Sequence, residues 1–315
     1  MTTVDAVSVV IPCYNAERFL RDTIESVLSQ TVGLGEVLVI DDGSTDRSAS
    51  IASSFGGNVK VLSQPNAGES IARNRGIESA VGNWVGFCDA DDLWHPDKLA
   101  AQLALADEST TAVCTRTRDW QDWPGGRTLI RDEPEPATWF DSTLAIGTPF
   151  QISSLIVRRD RVPRFPPQLQ YGEDLYFVLD LLRSNKIERV DEPLTTYRLH
   201  RGSQGRARRL IELDRHQVCE EWLHRNRADL GEDEFFRARK IVSGRIDGIL
   251  GAARQAFWTR DWPALRSCRA YAAKVAIPGL LESMPRKLLP DLAYRAYDWA
   301  SGRAAKPGST EPTSG

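Results

Sequence analysis

Four short apolar runs alternate with stretches of helical periodicity across residues 7–88, and nothing else in the chain restricts its fold as tightly. Val7-Ser8-Val9-Val10-Ile11 is almost continuously apolar, the pattern of a strand buried on both faces. Leu20, Ile24, Val27 and Leu28 then recur at the spacing of one helix face, with Asn15 placed to cap that helix and Glu17 in its first turn. Glu36 to Ile40 and Val59 to Leu62 read as further strands, with a helix reaching about Ser54 between them. Ile71 to Ala80 reads as a third helix and Trp84 to Cys88 as a fourth strand. Alternation of this kind gives a mostly parallel, doubly wound α/β sheet flanked by helices. Ligands of such sheets bind beyond the carboxyl ends of the strands. Three of those ends carry polar clusters: Pro12 to Asn15, Asp41 to Asp46, and Asp89 to Asp92.

The last cluster carries the most chemistry. Trp84-Val85-Gly86-Phe87-Cys88 ends in Asp89-Ala90-Asp91-Asp92, three carboxylates within four positions. Like charges that close repel one another and lose solvation when buried, so a counter-charge is required. A hard divalent cation, Mg²⁺ or Mn²⁺, favours such oxygens and could hold a diphosphate against the strand end. Acidic residues after a strand also form turns and helix caps, and His95-Pro96-Asp97 ahead of Lys98-Leu99 is helix-starting sequence of that kind.

The chain's 315 residues are enough for a sizeable core, and a net charge of −3 gives no basic footprint for nucleic acid. Anionic substrates must therefore be held by local cations, backbone amides or a metal. The five cysteines are scattered with no Cys-x-x-Cys pair, which argues against a zinc knuckle or disulfide framework and for a reducing, cytoplasmic setting. Val7 to Ile11 is too short for a signal-peptide core, and no run approaches the roughly 20 apolar residues of a membrane span.

Beyond residue 105 the pattern is less regular. Ala112 to Thr117, Arg127 to Ile130 and Ser154 to Val157 read as strands, with a turn at Trp123-Pro124-Gly125-Gly126. Tyr171-Gly172-Glu173-Asp174 leads into a helix with the stripe Leu175, Val178, Leu179 and Leu182, and Leu194 to Leu199 is extended up to His200. From Arg208 to Trp299 the periodicity is helical and rich in Arg and Trp; Ser301 to Gly315 has the composition of a disordered tail. Trp120, Trp123, Trp139 and Phe140 are candidates for sugar stacking or for core, with core the default. Trp222, Trp258, Trp262 and Trp299 with the arginines could give peripheral membrane or partner contact, or lie on solvated helices.

Four ordered motifs carry a resemblance. Val9-Val10-Ile11-Pro12-Cys13-Tyr14-Asn15, Val39-Ile40-Asp41-Asp42-Gly43-Ser44-Thr45-Asp46, Asn66-Ala67-Gly68 with Ala72-Arg73-Asn74-Arg75-Gly76, and Asp89-Ala90-Asp91-Asp92 follow the order and spacing of the family 2 glycosyltransferases, and the chain resembles these enzymes of GT-A (Rossmann-like) fold. The likeness covers residues 7 to 105 and returns at Gly172-Glu173-Asp174 and Tyr197-Arg198-Leu199-His200. It implies a GT-A domain over 1–205, with a nucleotide-sugar-binding half at 7–105 and an acceptor half at 106–205, then a helical C-terminal extension over 206–300.

By the same resemblance Pro12, Tyr14 and Glu17 line the nucleotide pocket and Asp42 accepts a hydrogen bond from the base. Asp41-Asp42-Gly43-Ser44 is equally good turn sequence. Arg73 is a candidate phosphate contact, although two arginines on a solvated helix face would also explain Arg73 and Arg75. Asp91 is expected to contact Mn²⁺ or Mg²⁺, Asp89 to face the ribose or the metal's waters, and His200 to complete the site. Asp174 is the candidate catalytic base, and it is also placed to cap its helix. The expected activity is metal-dependent, inverting sugar transfer from a nucleotide-sugar, taken as UDP-linked, to a saccharide or lipid-linked saccharide in cell-surface polysaccharide biosynthesis, in the cytoplasm or at the inner membrane face.

Two other readings use the same features. A sugar nucleotidyltransferase shares the fold but carries a Gly-rich basic N-terminal loop, which Pro12-Cys13-Tyr14-Asn15 is not. A receiver-type signalling domain would use Asp41 and Asp42 but would end near residue 120 and has no need of Asp89-Ala90-Asp91.

Overall fold

The pleat of a strand sends alternate side chains to opposite faces, and the first two strands use both. Along β1 (Val7–Cys13), Val10 enters one apolar cluster while Val7, Val9 and Ile11 enter another; along β2 (Leu34–Asp41), Leu38 and Ile40 part from Val37 and Val39 in the same way. Each fully buried side chain of this size contributes about 1.5–3 kcal/mol. The computed structural model that carries these contacts describes residues 6–169, 171–183, 186–200 and 211–244.

The helix α1 (Leu20–Leu28) closes one face with Leu20, Ile24 and Val27, and α3 (Glu69–Ser79) closes the other with Ala72 and Ile77. Between them lies the short α2 (Ser48–Ser53). β3 (Val59–Ser63), β2, β1 and β4 (Trp84–Phe87) pair in that order, all parallel, as the alternation predicts. From β4 the sheet continues through β8 (Ile156–Arg158), β6 (Thr110–Gln121), β9 (Lys186–Leu199) and β5 (Leu93–Trp94), with β7 (Thr128–Ile130) beside β6. The β4–β8 and β6–β8 pairs are antiparallel, so the parallel run ends beside the acidic cluster. The remaining helices are α4 (Lys98–Leu105), α5 (Trp139–Ile146), α6 (Glu173–Leu182), α7 (Ile211–Arg225), α8 (Arg227–Leu230) and α9 (Glu232–Ser243).

Several local expectations are corrected. Asn15 does not cap α1: it sits at φ 50°, its Oδ1 accepts the Thr45 N–H at 2.8 Å, and a turn over residues 16–19 separates it from the helix. Leu28 is 36% exposed rather than on the buried face. Asp97 holds the N-cap position of α4, as helix-starting sequence predicts, though without a side-chain cap bond; Gly172 holds that position at α6, so Asp174 lies in the first turn and is not the N-cap. Residues 152–154 form a 3₁₀ turn ahead of β8. Trp139 is core, as the default predicts.

Asp214–Val242 belongs to the same compact unit as the sheet. Trp222 is fully buried there with Leu175, Tyr176 and Leu179 of α6, and its indole N–H donates to Asp180 at 2.7 Å. It therefore forms no membrane or partner face. Trp258, Trp262, Trp299, Cys268 and the tail from Ser301 lie outside the described residues. Among the described residues Cys13, Cys88, Cys114 and Cys219 are buried and outside any disulfide, and no helix is long and apolar enough to cross a membrane.

Candidate active site

Parallel pairing brings the ends of β1 and β2 side by side, and polar groups stitch their loops together. The Asn15 N–H donates to Ser44 Oγ at 3.0 Å, the Ala16 N–H to Ser48 Oγ at 2.8 Å and the Glu17 N–H to Asp46 Oδ2 at 3.0 Å. In return Glu17 Oε2 accepts both the backbone N–H and the Nε–H of Arg47 at 3.1 Å. Of the three residues expected to line a nucleotide pocket, Pro12 is buried in β1, Glu17 is engaged by Arg47, and Tyr14 presents its ring, 54% exposed.

Asp42 is buried, and its carboxylate is occupied from within the chain. Oδ1 accepts from Gln64 Nε2 at 2.7 Å and from the Ala67 N–H at 2.9 Å, while Oδ2 accepts the Gly68 N–H at 2.8 Å. These bonds fix the loop that enters α3, where Gly68 adopts a φ of 95° that an L side chain strains to reach. The turn alternative at Asp41-Asp42 also holds, since Asp41 Oδ1 accepts the Ser44 N–H at 3.1 Å. The bonds from Gln64, Ala67 and Gly68 give Asp42 a loop-shaping role.

Arg73 departs from the solvated-face reading: its side chain is 1% exposed and lies 5.0 Å over the Phe165 ring. Its Nη1 donates to Asp174 Oδ1 at 2.9 Å, and its Nη2 to Glu69 Oε1 at 2.6 Å and Asp89 Oδ1 at 2.8 Å. One guanidinium thus joins three carboxylates drawn from α3, the end of β4 and the start of α6. Those anions hold the Arg73 pKa well above its ordinary value despite burial. Burial pushes the Asp174 carboxyl up to about 7 against the opposing pull of Arg73, with the Glu173 and Asp89 charges adding to the rise. At Glu69 the Arg73 charge pulls down most strongly, yet burial and the neighbouring carboxylates together leave it at about 7. Asp174 keeps 41% of its side chain exposed, so it remains reachable from the crevice.

Asp91 and His200 meet as expected: His200 Nε2 lies 2.9 Å from Asp91 Oδ2, the two residues 109 positions apart. Burial and the Asp89 charge raise the Asp91 pKa, and the His200 contact opposes that rise. A carboxylate beside an imidazole is a donor pair that would suit a divalent cation such as Mn²⁺. Among the described residues no group of three His, Cys, Asp or Glu side chains forms a metal cage by itself. Asp89 faces Arg73, and its backbone N–H donates to Ser153 Oγ at 3.0 Å. Asp92 is fully buried, its Oδ1 accepting the Arg198 N–H at 3.0 Å.

Glu69, Ser153 and Phe19 escaped the reading of motifs, and Arg198 was quoted beside His200 without a role. Glu69 stood in plain view four residues before Arg73 on one helix face, the spacing of an ion pair. Ser153 reaches Asp89 across 64 positions, which no local pattern announces.

Acids, an imidazole and an arginine thus gather beyond the carboxyl end of β4, where ligands of such α/β sheets bind. The family model for "Glycosyl transferase family 2" matches residues 8–161. The chain is 33% identical over 186 residues to an uncharacterized glycosyltransferase of Haemophilus influenzae, covering 57% of this chain and 73% of that protein. It is 42% identical over 123 residues to the uncharacterized glycosyltransferase YibD of Escherichia coli K12, 38% of this chain but only 36% of the relative's length. Among solved structures, Staphylococcus aureus TarS 1-349 in complex with UDP-GlcNAc superposes with a TM-score of 0.64 at 19% identity, over 95% of this chain and 89% of that one. A mannosyltransferase from Pyrobaculum calidifontis in complex with GDP-Man and Mn²⁺ gives 0.54 at 19% identity, over 97% and 82%. The chain belongs to the family 2 glycosyltransferases.

Proposed function

We propose that the chain transfers a sugar from a nucleotide-sugar donor, UDP-linked, to a hydroxyl of a saccharide or lipid-linked saccharide during surface-polysaccharide assembly, with inversion at the anomeric carbon. The observation that carries this reading is the joining of Asp174 to the acidic cluster through Arg73, which sets a partly exposed carboxylate beside the strand ends where the donor diphosphate belongs. Asp174 accepts the proton of the acceptor hydroxyl as its oxygen attacks the anomeric carbon; the bond to the diphosphate oxygen breaks on the opposite face, and the electron pair leaves with the nucleoside diphosphate. Arg73 holds the base in place, and Tyr14 offers a face on which a base can stack. A Mn²⁺ or Mg²⁺ ion at Asp91 and His200 would neutralise charge on the leaving diphosphate.

UDP is favoured over GDP by the likeness to the structure solved with UDP-GlcNAc, and a metal by the likeness to one solved with Mn²⁺. Calorimetry of UDP and GDP with Mn²⁺ and with EDTA tests the donor site. Metal-dependent UDP binding, lost in Asp91→Ala, is expected; GDP preference would overturn the nucleotide, and binding of neither would overturn the donor site. The anomeric configuration of the product, read by NMR, tests inversion.

A further inference from the structure

His200 stands at the end of β9, and its ring is seated on a column of side chains to which the resemblance assigns no role. The imidazole packs on Phe19 with ring centroids 4.4 Å apart at 37°. The Arg198 guanidinium lies 5.0 Å from the Phe19 ring centroid and 4.9 Å from that of Trp120. Arg198 and Phe19 are buried, at 4% and 8% exposure. Arg198 is anchored in turn: its Nη2 and Nη1 donate to Asp22 of α1 at 3.3 and 3.4 Å, and its backbone N–H donates to Asp92. Trp120 is held by the sheet itself, paired with Arg198 in the β6–β9 register, and the Asp122 N–H closes on the Leu199 carbonyl at 2.9 Å.

We infer that Phe19, Arg198 and Trp120 are positioning residues that fix the His200 imidazole with its Nε2 toward Asp91, and so set the affinity of that pair for a divalent cation. A metal-ligating imidazole needs its ring plane and its bonding nitrogen fixed, and partners outside the ligand set that do this typically control affinity about 10–100-fold. Here the fixing is a stack. A flat ring on one face, clamped by a guanidinium that is itself clamped by an indole, leaves the imidazole little freedom to rotate away from Asp91. Aromatic and cation–π contacts of these separations are strong enough to bias a side-chain rotation.

The inference rests on the metal reading of Asp91 and His200, and the experiment separates the two. Binding of Mn²⁺ in the presence of UDP is followed by the electron paramagnetic resonance of free Mn²⁺ for the full chain, His200→Ala, Phe19→Leu, Phe19→Tyr and Trp120→Leu. Wild type should bind, and Phe19→Leu and Trp120→Leu should each weaken Mn²⁺ about tenfold or more while Phe19→Tyr restores it. With a donor substrate the two weakened variants should need more Mn²⁺ for half-maximal rate yet reach a kcat within about twofold of wild type at saturating Mn²⁺, a split that general loss of structure would not give. Trp120 lies at the far end of the column, so its variant still decides the matter if Phe19→Leu fails to fold. Unchanged Mn²⁺ affinity in a folded Phe19→Leu or Trp120→Leu, with His200→Ala impaired, overturns the positioning role alone. Absence of Mn²⁺ binding by wild type overturns the metal site and the positioning role together.

Discussion

Replacing Arg73 with methionine keeps most of the side-chain volume over Phe165 and removes the cation shared by Glu69, Asp89 and Asp174. Breaking a buried ion pair by deleting one partner costs about 3–5 kcal/mol. Water reaches these carboxylates, whose side chains are 37%, 26% and 41% exposed, and screens part of that loss, so about 2–3 kcal/mol is expected at pH 8. For a unit of this size that lowers Tm by roughly 5–10 °C. The loss must depend on pH. Glu69 and Asp174 already titrate at about 7 in the folded chain, above the ordinary carboxylate range, so the folded state binds more protons than the unfolded one and stability falls as pH rises from about 4 through 7. Without Arg73 both pKa values move further up and the fall extends above pH 7. At pH 6 both carboxyls are protonated in the variant and the cost should shrink to about half or less. Calorimetric melts of wild type and Arg73→Met at pH 6 and pH 8 measure this directly. An equal drop in Tm at both pH values would mean that Arg73 acts through packing, and the charge account would be wrong.

Asp174→Asn should lower kcat by about 10²–10⁴-fold with UDP affinity unchanged, and wild-type kcat/KM should rise with pH through about 7 as the base loses its proton; a profile flat from pH 5.5 to 8 counts against Asp174 as base. Gly76→Ala would place a methyl group against Val10 Cγ1 and Cγ2 beneath α3, so urea unfolding should report about 1–3 kcal/mol of lost stability, and an unchanged midpoint would show that the helix can shift at no cost. Lys98 is fully buried, 2.8 Å from Gln102 Oε1 and 3.8 Å from the Trp94 ring centroid, and burial lowers its pKa to about 7. Its folded form binds fewer protons than the unfolded chain between about pH 7 and 10, so wild-type stability declines as pH falls across that window and levels off below it. Lys98→Met should therefore stabilise by about 1–3 kcal/mol at pH 6 with little gain at pH 10, and a loss at both would refute this reading.

Residues 7–105 were legible because their signals are local. Buried strands, helix stripes and strand-end acids repeat over spans shorter than a turn or two, and the family motifs keep fixed offsets within them. The intrachain partners of Asp42 and Arg73 were not legible, for the opposite reason. An aspartate after a strand reads the same whether it meets a base or the amides of Ala67 and Gly68, and an arginine at mid-helix reads the same whether it meets water or three carboxylates.

By itself the sequence determined which segments are strands in the parallel half and which strand ends carry acids, and it named Asp91 and His200 as candidate metal ligands. Tertiary structure alone decided who meets whom. Arg73 reaches Asp174 across 101 positions and His200 reaches Asp91 across 109, and such pairs exist only once the sheet from β4 through β8, β6 and β9 has closed. Periodicity encodes which face of an element is apolar; the partner of a buried charge is set by the chain-wide packing that removes water from both.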